Sequence, residues 1–344
     1  MQALQLTAWQ HDPELRDVAE PDPGPGEVVV RVGGAGVCHS DLHLLYEFPP
    51  GLMPYDPPFT LGHENAGWVH ATGAGVTGLE VGQPVAVFGA WGCGRCIRCR
   101  AGNENYCVDG AAAGAPGGLG RDGGMAPYLL VPSARLVVPL GDLDPVAAAP
   151  LTDAGLTPYH AIRRSLPKLL PGSTAVAIGV GGLGHLGVQL LSALTAAQVI
   201  AVDQRPEALE LAAASGAHLT VASGPDAAAE IREATRGVGA DVVLDFVGAD
   251  ATMQLGVQVA RPLGDLTVVG IAGGSIPFGF FNVPYEVSLQ TTYWGSITEL
   301  MELLRLAERG IVRAEYTTFP LADATAAYAA LKAGTLRGRA VVVP

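Results

Sequence analysis

Four of the five cysteines in this 344-residue chain fall in one short run, Cys93-Gly94-Arg95-Cys96-Ile97-Arg98-Cys99, followed eight residues later by Cys107. Thiolates at such spacing suit zinc: two-residue gaps let the backbone fold back so that successive sulfurs converge on one tetrahedral centre at about 2.3 Å. A disulfide cluster is the plainer alternative, yet metal-like spacing in a cytosolic enzyme points to ligation. The fifth thiol, Cys38, opens Cys38-His39-Ser40-Asp41-Leu42-His43, and Gly62-His63-Glu64 follows. A catalytic zinc takes three protein donors and keeps one position for water or substrate. Cys38 and His63 supply a soft sulfur and an imidazole. With no sixth cysteine, two carboxylates compete for the third place: Asp153, in Leu151-Thr152-Asp153-Ala154-Gly155, and Glu64, which adjoins His63. Taken singly, His63 reads equally well as an ordinary buried histidine and Asp41 as a turn residue. Taken together they make a ligand set in which Asp41 is the carboxylate that orients a ligand imidazole.

Gly179-Val180-Gly181-Gly182-Leu183-Gly184 fits G-x-G-x-x-G, a weak signal alone in a chain with 46 glycines. Its setting strengthens it: a strand-like run precedes it, helical periodicity follows, and Asp203 ends the next strand 19 residues past Gly184. Gly179 suits the tight turn, Gly181 lets backbone approach a pyrophosphate, and Gly184 lets helix and strand pack closely. Gly182 and Leu183 open the helix whose free N–H groups face the phosphates. Asp203 would accept from ribose hydroxyls and repel a 2′-phosphate, which predicts NAD over NADP. Arg205, two residues on, weakens that preference. The bland alternative is a glycine-rich turn with no ligand.

The elements that must position these residues come in two grammars. Up to about residue 150, short strands such as Glu27–Val32 and Val85–Phe88 alternate with Gly and Pro turns, which predicts an irregular, barrel-like β domain with a surface loop over Gly110–Gly124. From Pro150 onward strands alternate with helices: strand Ser173–Ile178, a helix marked by Leu183, Leu186, Leu190, Leu191 and Leu194, and strand Val199–Val202. Helix Pro206–Ser215, strand Leu219–Val221, helix Ala227–Thr235, and strands Asp241–Asp245 and Leu266–Ile271 continue the series, which predicts a doubly wound parallel sheet. A helix over Ile297–Arg309 and a final strand Ala340–Val343 complete the chain. Leu169–Val202 holds no Asp, Glu, Lys or Arg, but Pro171, six glycines and a change from strand to helical pattern mark a buried strand, helix and strand rather than a membrane span. With 33 acidic against 20 basic residues, nothing electrostatic draws the chain to nucleic acid or anionic membrane, so a small molecule is the expected partner. The opening Met1–Leu6 reads as a strand and lacks a signal-peptide pattern, so the expected location is the cytoplasm.

Gly36-Val37-Cys38-His39-Ser40-Asp41, Gly62-His63-Glu64, the four-cysteine lobe, Gly179–Gly184 and Asp203 together resemble the zinc-dependent alcohol dehydrogenases of the medium-chain dehydrogenase/reductase superfamily, over essentially the whole chain. Pro150–Tyr159 and Tyr293-Trp294-Gly295 are similar to bacterial secondary-alcohol dehydrogenases and carbonyl reductases. The resemblance implies an α/β fold with a GroES-like β-barrel catalytic domain at 1–152, a structural-zinc lobe at about 93–107, a Rossmann domain at 153–295, a return to the catalytic domain at 296–344, and a homo-oligomer, tetramer or dimer. It also implies that Cys38, His63 and Asp153 hold the catalytic zinc, that Cys93, Cys96, Cys99 and Cys107 hold a second, and that Ser40 and His43 move the proton. Asp153 stands where better-known animal enzymes carry a cysteine.

On this reading zinc acidifies a bound alcohol, Ser40 accepts its proton and passes it through the cofactor ribose toward His43, and the nicotinamide takes the hydride. His39 and Arg339 are candidates for the pyrophosphate, each equally readable as a solvated surface residue. Phe48, Tyr55, Trp91, Leu119, Tyr293 and Trp294 are candidate pocket residues, and such apolar lining favours hydrophobic ketones over polyols. For each of them, core packing is the plainer reading. Rival functions are a polyol or primary-alcohol/aldehyde dehydrogenase of the same family, and a non-catalytic zinc and NAD-binding relative.

Overall fold

Valine-rich segments broken by Gly and Pro favour strands with turns between them, and the first part of the chain folds accordingly. The computed structural model describes residues 1–344, apart from the side chains of residues 111 and 112. The chain forms two compact units, Met1–Leu156 with Gly295–Pro344, and Thr157–Trp294. Asp153 therefore belongs to the first unit.

In the first unit β1 (Gln2–Leu6) pairs with β2 (Glu14–Asp17), and β3 (Val28–Val37) is the central strand of a second sheet. β4 (Phe59–Thr60) joins β1; β5 (Glu64–Thr72), β6 (Pro84–Val87), β7 (Tyr128–Val131) and β8 (Val137–Pro139) build outward from β3. Gly36 of β3 faces Glu64 of β5, and a Cβ there would lie 1.8 Å from a Glu64 carboxylate oxygen. Glycine at this position thus makes room for a buried carboxylate.

The second unit holds β9 (Thr174–Ile178), β10 (Gln198–Asp203), β11 (Leu219–Ala222), β12 (Ala240–Asp245), β13 (Ala260–Val268) and β14 (Ser288–Thr291). All its pairings are parallel and the spatial order is β11-β10-β9-β12-β13-β14, the 3-2-1-4-5-6 order of a dinucleotide-binding sheet. Val176, Ile178, Ile200, Val202, Val243 and Leu266 form its buried core. The uncharged stretch folds as β9, helix Gly184–Leu194 and β10, and among the described residues no helix is long and apolar enough to cross a membrane. Strands β15 (Tyr316–Pro320) and β16 (Arg339–Val343) return to the first unit, where β16 pairs antiparallel with Ala35–Val37 of β3.

Two sequence expectations change. The strand expected at Leu266–Ile271 runs from Ala260 to Val268, because the ladder breaks after Ala240↔Ala260, where Pro262 and Gly264 lie, and resumes at Val242↔Asp265. Val269 and Gly270 then leave the sheet and donate to the Asp245 carbonyl at 2.8 and 3.0 Å. The loop expected on the surface over Gly110–Gly124 begins with a short helix, Gly110–Ala113. Its glycines 117, 118, 123 and 124 are buried, and a Cβ on Gly118 would strike the Gly62 carbonyl and the His63 nitrogen. Helices Leu156–Ser165, Asp250–Val259 and Ala324–Lys332 were not legible in the periodicity.

Candidate metal centres and dinucleotide site

Cys38 closes β3 and begins the short helix His39–Leu42, which passes into a π-helical turn over His43–Glu47. His63 follows Gly62, whose φ of +94° favours glycine, and enters β5. Asp153 ends the 3₁₀ turn Ala149–Thr152. The donor atoms of Cys38, His63, Glu64 and Asp153 all lie within 4.8 Å of one another. His63 Nε2 is 3.4 Å from Asp153 Oδ2, and Cys38 Sγ is 4.0 Å from that same oxygen. Donors held about 2.0–2.3 Å from one tetrahedral ion stand ~3.3–3.8 Å apart, so His63 and Asp153 already stand at that spacing and Cys38 lies just beyond it, a donor set that suits zinc.

Asp41, fully buried, stands behind two of these donors: its Oδ1 faces His63 Nδ1 at 3.2 Å and its Oδ2 accepts the Cys38 N–H at 3.0 Å. Burial disfavours an imidazolium at His63, but the Asp41 charge and the hydrogen bonds that Asp153 and Asp41 accept outweigh it and push its pKa well above the ordinary histidine value. Such surroundings favour a cation, and a metal ion bound here would take the place of the proton. Glu64 is engaged elsewhere. Both its oxygens pair with the buried Arg339 guanidinium, and Oε1 also accepts the Ala154 N–H at 3.1 Å. Burial opposes the Arg339 charge, yet Cys38, Glu64 and Asp153 hold it protonated. Arg339, expected at the pyrophosphate or on the surface, is 3% exposed and spends its guanidinium on Glu64, because β16 lies against β3.

Ser40 Oγ lies 3.5 Å from Cys38 Sγ. His43 is nearly buried, stacked on Phe48, and its Nδ1 is 2.5 Å from the exposed Glu47. His39 is exposed. Trp91 lies under Gly117, and Tyr55 packs against Gly120 and the rings of Trp9 and Phe59. Leu119 belongs to the same loop, whose Gly118 abuts the His63 backbone. Tyr293 and Trp294 belong to the second unit; Tyr293 is half exposed and Trp294 is buried.

The four clustered cysteines also converge. Cys93–Cys99, Cys96–Cys99 and Cys96–Cys107 sulfurs are 3.9, 3.4 and 3.9 Å apart, and none of the five cysteines is bridged. Backbone N–H groups of Cys93, Cys96 and Cys99 point at Cys107, Cys93 and Cys96 sulfurs. Such donors, the Cys99 N–H first, bring the Cys96 thiol down to about 6, while burial pushes Cys99 up to about 12. Arg135 anchors the lobe, donating to Glu104 and the Gly92 carbonyl.

In the second unit Gly179 has φ +88°, and a Cβ on Gly184 would lie 1.8 Å from the Gly179 carbonyl, so the close helix–strand approach requires glycine. Gly181 faces open space; Gly182 and Leu183 are partly exposed. The cradle fits a pyrophosphate. Asp203 Oδ2 accepts the Val180 N–H at 2.7 Å, which ties the acid to the glycine turn, and its Oδ1 meets Arg205 N and Nε at 3.0 and 3.4 Å.

A β unit with two metal-ligand clusters, joined in one chain to a dinucleotide-type sheet, is the combination that defines a zinc-binding dehydrogenase. Residues 24–142 match the family model of the alcohol dehydrogenase GroES-like domain, and residues 182–309 match that of the zinc-binding dehydrogenases. The chain belongs to the zinc-type alcohol dehydrogenases of the medium-chain dehydrogenase/reductase superfamily. It is 35% identical to an NAD-dependent alcohol dehydrogenase of Sulfurisphaera tokodaii, with 100% of each chain covered. To a D-arabinose 1-dehydrogenase (NADP(+)) of Saccharolobus solfataricus it is 33% identical, over 99% of this chain and 97% of that one. The crystal structure of the alcohol dehydrogenase from Aeropyrum pernix superposes with a TM-score of 0.93 at 38% identity, covering 100% of both chains.

Sequence reasoning missed Tyr328, Glu47 and the Glu64–Arg339 pair. Tyr328 sits in an alanine-rich helix that carries no local signal of a site.

Proposed function

We propose that this alcohol dehydrogenase interconverts secondary alcohols and ketones, alkyl or aryl, using NAD and a zinc ion held by Cys38, His63 and Asp153. The observation that carries the reading is the convergence of those three donors while Glu64, the rival carboxylate, is committed to Arg339 and Ala154. When bound, zinc supplies Lewis acidity toward a substrate oxygen and the nicotinamide supplies the hydride acceptor. Ser40 Oγ, next to Cys38, takes the proton of the substrate hydroxyl. His43, on the same helical stretch with Nδ1 on Glu47, hands a proton on to an exposed carboxylate and solvent. Asp41 keeps His63 oriented. Cys93, Cys96, Cys99 and Cys107 hold a second, structural zinc.

The first unit is the catalytic domain and the second binds the dinucleotide, with the pyrophosphate at Gly181–Gly184 and the adenosine ribose at Asp203. The placement of Trp91, Leu119 and Tyr55 around the loop that abuts His63 supports an apolar substrate. A homo-oligomer, dimer or tetramer, fits the exposed Phe278, Phe280, Phe281 and Tyr285 that precede the outer strand β14. Five unbridged cysteines fit a cytoplasmic site of action.

The test is a substrate screen of zinc-loaded protein with 2-butanol, acetophenone, sorbitol, D-arabinose and primary alcohols, each with NAD(H) and NADP(H). The highest kcat/KM is expected for the secondary alcohol and the aryl ketone with NAD(H). A higher value for D-arabinose or sorbitol replaces the substrate class, and NAD binding without any alcohol oxidation defeats the enzymatic reading.

A further inference from the structure

Asp41, outside the proposed ligand set, touches two of its members, the Cys38 N–H through Oδ2 and His63 through Oδ1. A third group reaches it from far along the chain: the hydroxyl of Tyr328 donates to Asp41 Oδ2 at 3.3 Å. Tyr328 lies on helix Ala324–Lys332 and is 2% exposed. Its hydroxyl also lies 3.2 Å from Met125 Sδ, but it has a single proton, and an ionised carboxylate is the stronger acceptor. Burial, and then the Asp41 charge, keep that proton in place. Met125 is itself fixed by a hydrogen bond to the Leu61 carbonyl, two residues before His63.

We propose that Tyr328 is a positioning residue of the catalytic metal, its hydroxyl holding the Asp41 carboxylate in the orientation that presents His63 and Cys38 to the ion. The proposal rests on the reading of Cys38, His63 and Asp153 as the metal ligands. The geometry gives the hydroxyl a task that ring packing does not explain. A phenyl ring would fill the same volume, yet the polar atom is turned toward a buried acid that contacts both Cys38 and His63. Without it, the Cys38 N–H is the donor left to Asp41 Oδ2 among the described hydrogen bonds, and the carboxylate gains freedom to rotate away from His63.

Tyr328→Phe retains the ring and deletes the donor. In zinc-loaded protein challenged with a chelator, the variant should release the Cys38/His63/Asp153 zinc about tenfold faster, the low end for loss of a supporting partner, with release from the four cysteines unchanged. With cobalt(II) alone bound in place of that zinc, the visible bands should shift relative to wild type. In an Asp41→Asn background Tyr328→Phe should add nothing. Unchanged release and unchanged cobalt bands overturn the proposal. Equal acceleration at both sites with a lowered melting temperature also overturns it, by showing a packing role. If wild-type protein holds one metal per chain, and that one on the four cysteines, it is the underlying ligand assignment that fails.

Discussion

The two candidate metal clusters of the first unit are built on opposite plans. The four-cysteine lobe draws all its sulfurs from residues 93–107, with backbone N–H groups of the same run pointing at them. Three of those cysteines are partly exposed. Local chain conformation suffices to bring its donors together, and a metal bound there stabilises the lobe directly. The other cluster takes Cys38, His63 and Asp153 from three distant segments, and supports them with Asp41, the Glu64–Arg339 pair and Tyr328. No short peptide contains it. It exists only once β3, β5, β16 and the last helix are in place, so its precision is a product of the whole unit's stability.

The largest effect expected from this contrast falls on the lobe. Cys96→Ser should reduce bound zinc from two to one per chain and cost several kcal/mol of stability, since structural zinc contributes about 10–16 kcal/mol in small zinc peptides. Turnover should fall only as the protein unfolds. Metal content and thermal denaturation read this directly, and a variant that kept both its zinc and its melting temperature would remove the lobe from the comparison. Next comes Arg339→Met, which leaves Glu64 buried opposite an apolar chain. A broken buried pair costs about 3–5 kcal/mol, whereas replacing both partners by apolar groups is often near neutral. Arg339→Met should therefore be strongly destabilising in denaturant titrations, and Glu64→Leu added to it should recover much of the loss. Failure of that recovery would mean that Glu64 does more than balance Arg339.

The same contrast explains what could be read from the sequence. The convergence of the four cysteines was legible, because they are neighbours in the chain. The dinucleotide turn was legible for the same reason: Gly179–Gly184 and Asp203 belong to one strand–helix–strand unit, and the hydrogen bond from Val180 to Asp203 closes it. Strand and helix periodicity gave most of the second unit. The distant partners were not legible. Arg339 reads as a pyrophosphate contact or a solvated surface residue in Arg337-Gly338-Arg339, and the pairing of β16 with β3 instead buries it against Glu64. Tyr328 likewise became visible only when the last helix packed near Asp41. The loop at Gly117–Gly124 looked solvated because glycine composition cannot distinguish an exposed loop from one pressed closely onto another backbone.

On the catalytic side the effects should be functional rather than structural. Cys38→Ser should lower turnover by more than about 100-fold, beyond what loss of a supporting group costs, in protein that melts close to the wild-type temperature. Steady-state kinetics beside a melting curve separate the two, and near-normal activity would end the assignment of Cys38 to the metal.

Asp41→Asn should have the smallest effect of the four, about 10–100-fold in metal affinity and turnover, and its cause can be followed atom by atom. The carboxylate accepts on both sides, from His63 Nδ1 through Oδ1 and from the Cys38 N–H and the Tyr328 hydroxyl through Oδ2. With the proton held on Nδ1, Nε2 offers its lone pair toward Asp153 Oδ2, where the ion belongs. An amide cannot repeat this. If its NH2 faces His63, it donates to Nδ1 and drives the proton onto Nε2, the atom meant for zinc; if it is flipped, the NH2 confronts the Cys38 N–H. Either orientation spoils one ligand's support, while the four-cysteine zinc, which has no contact with Asp41 among the described hydrogen bonds, should be released at its original rate. Competition with a chelator, resolved into its two phases, distinguishes these sites. Equal loosening of both would show that the clusters share one stability after all.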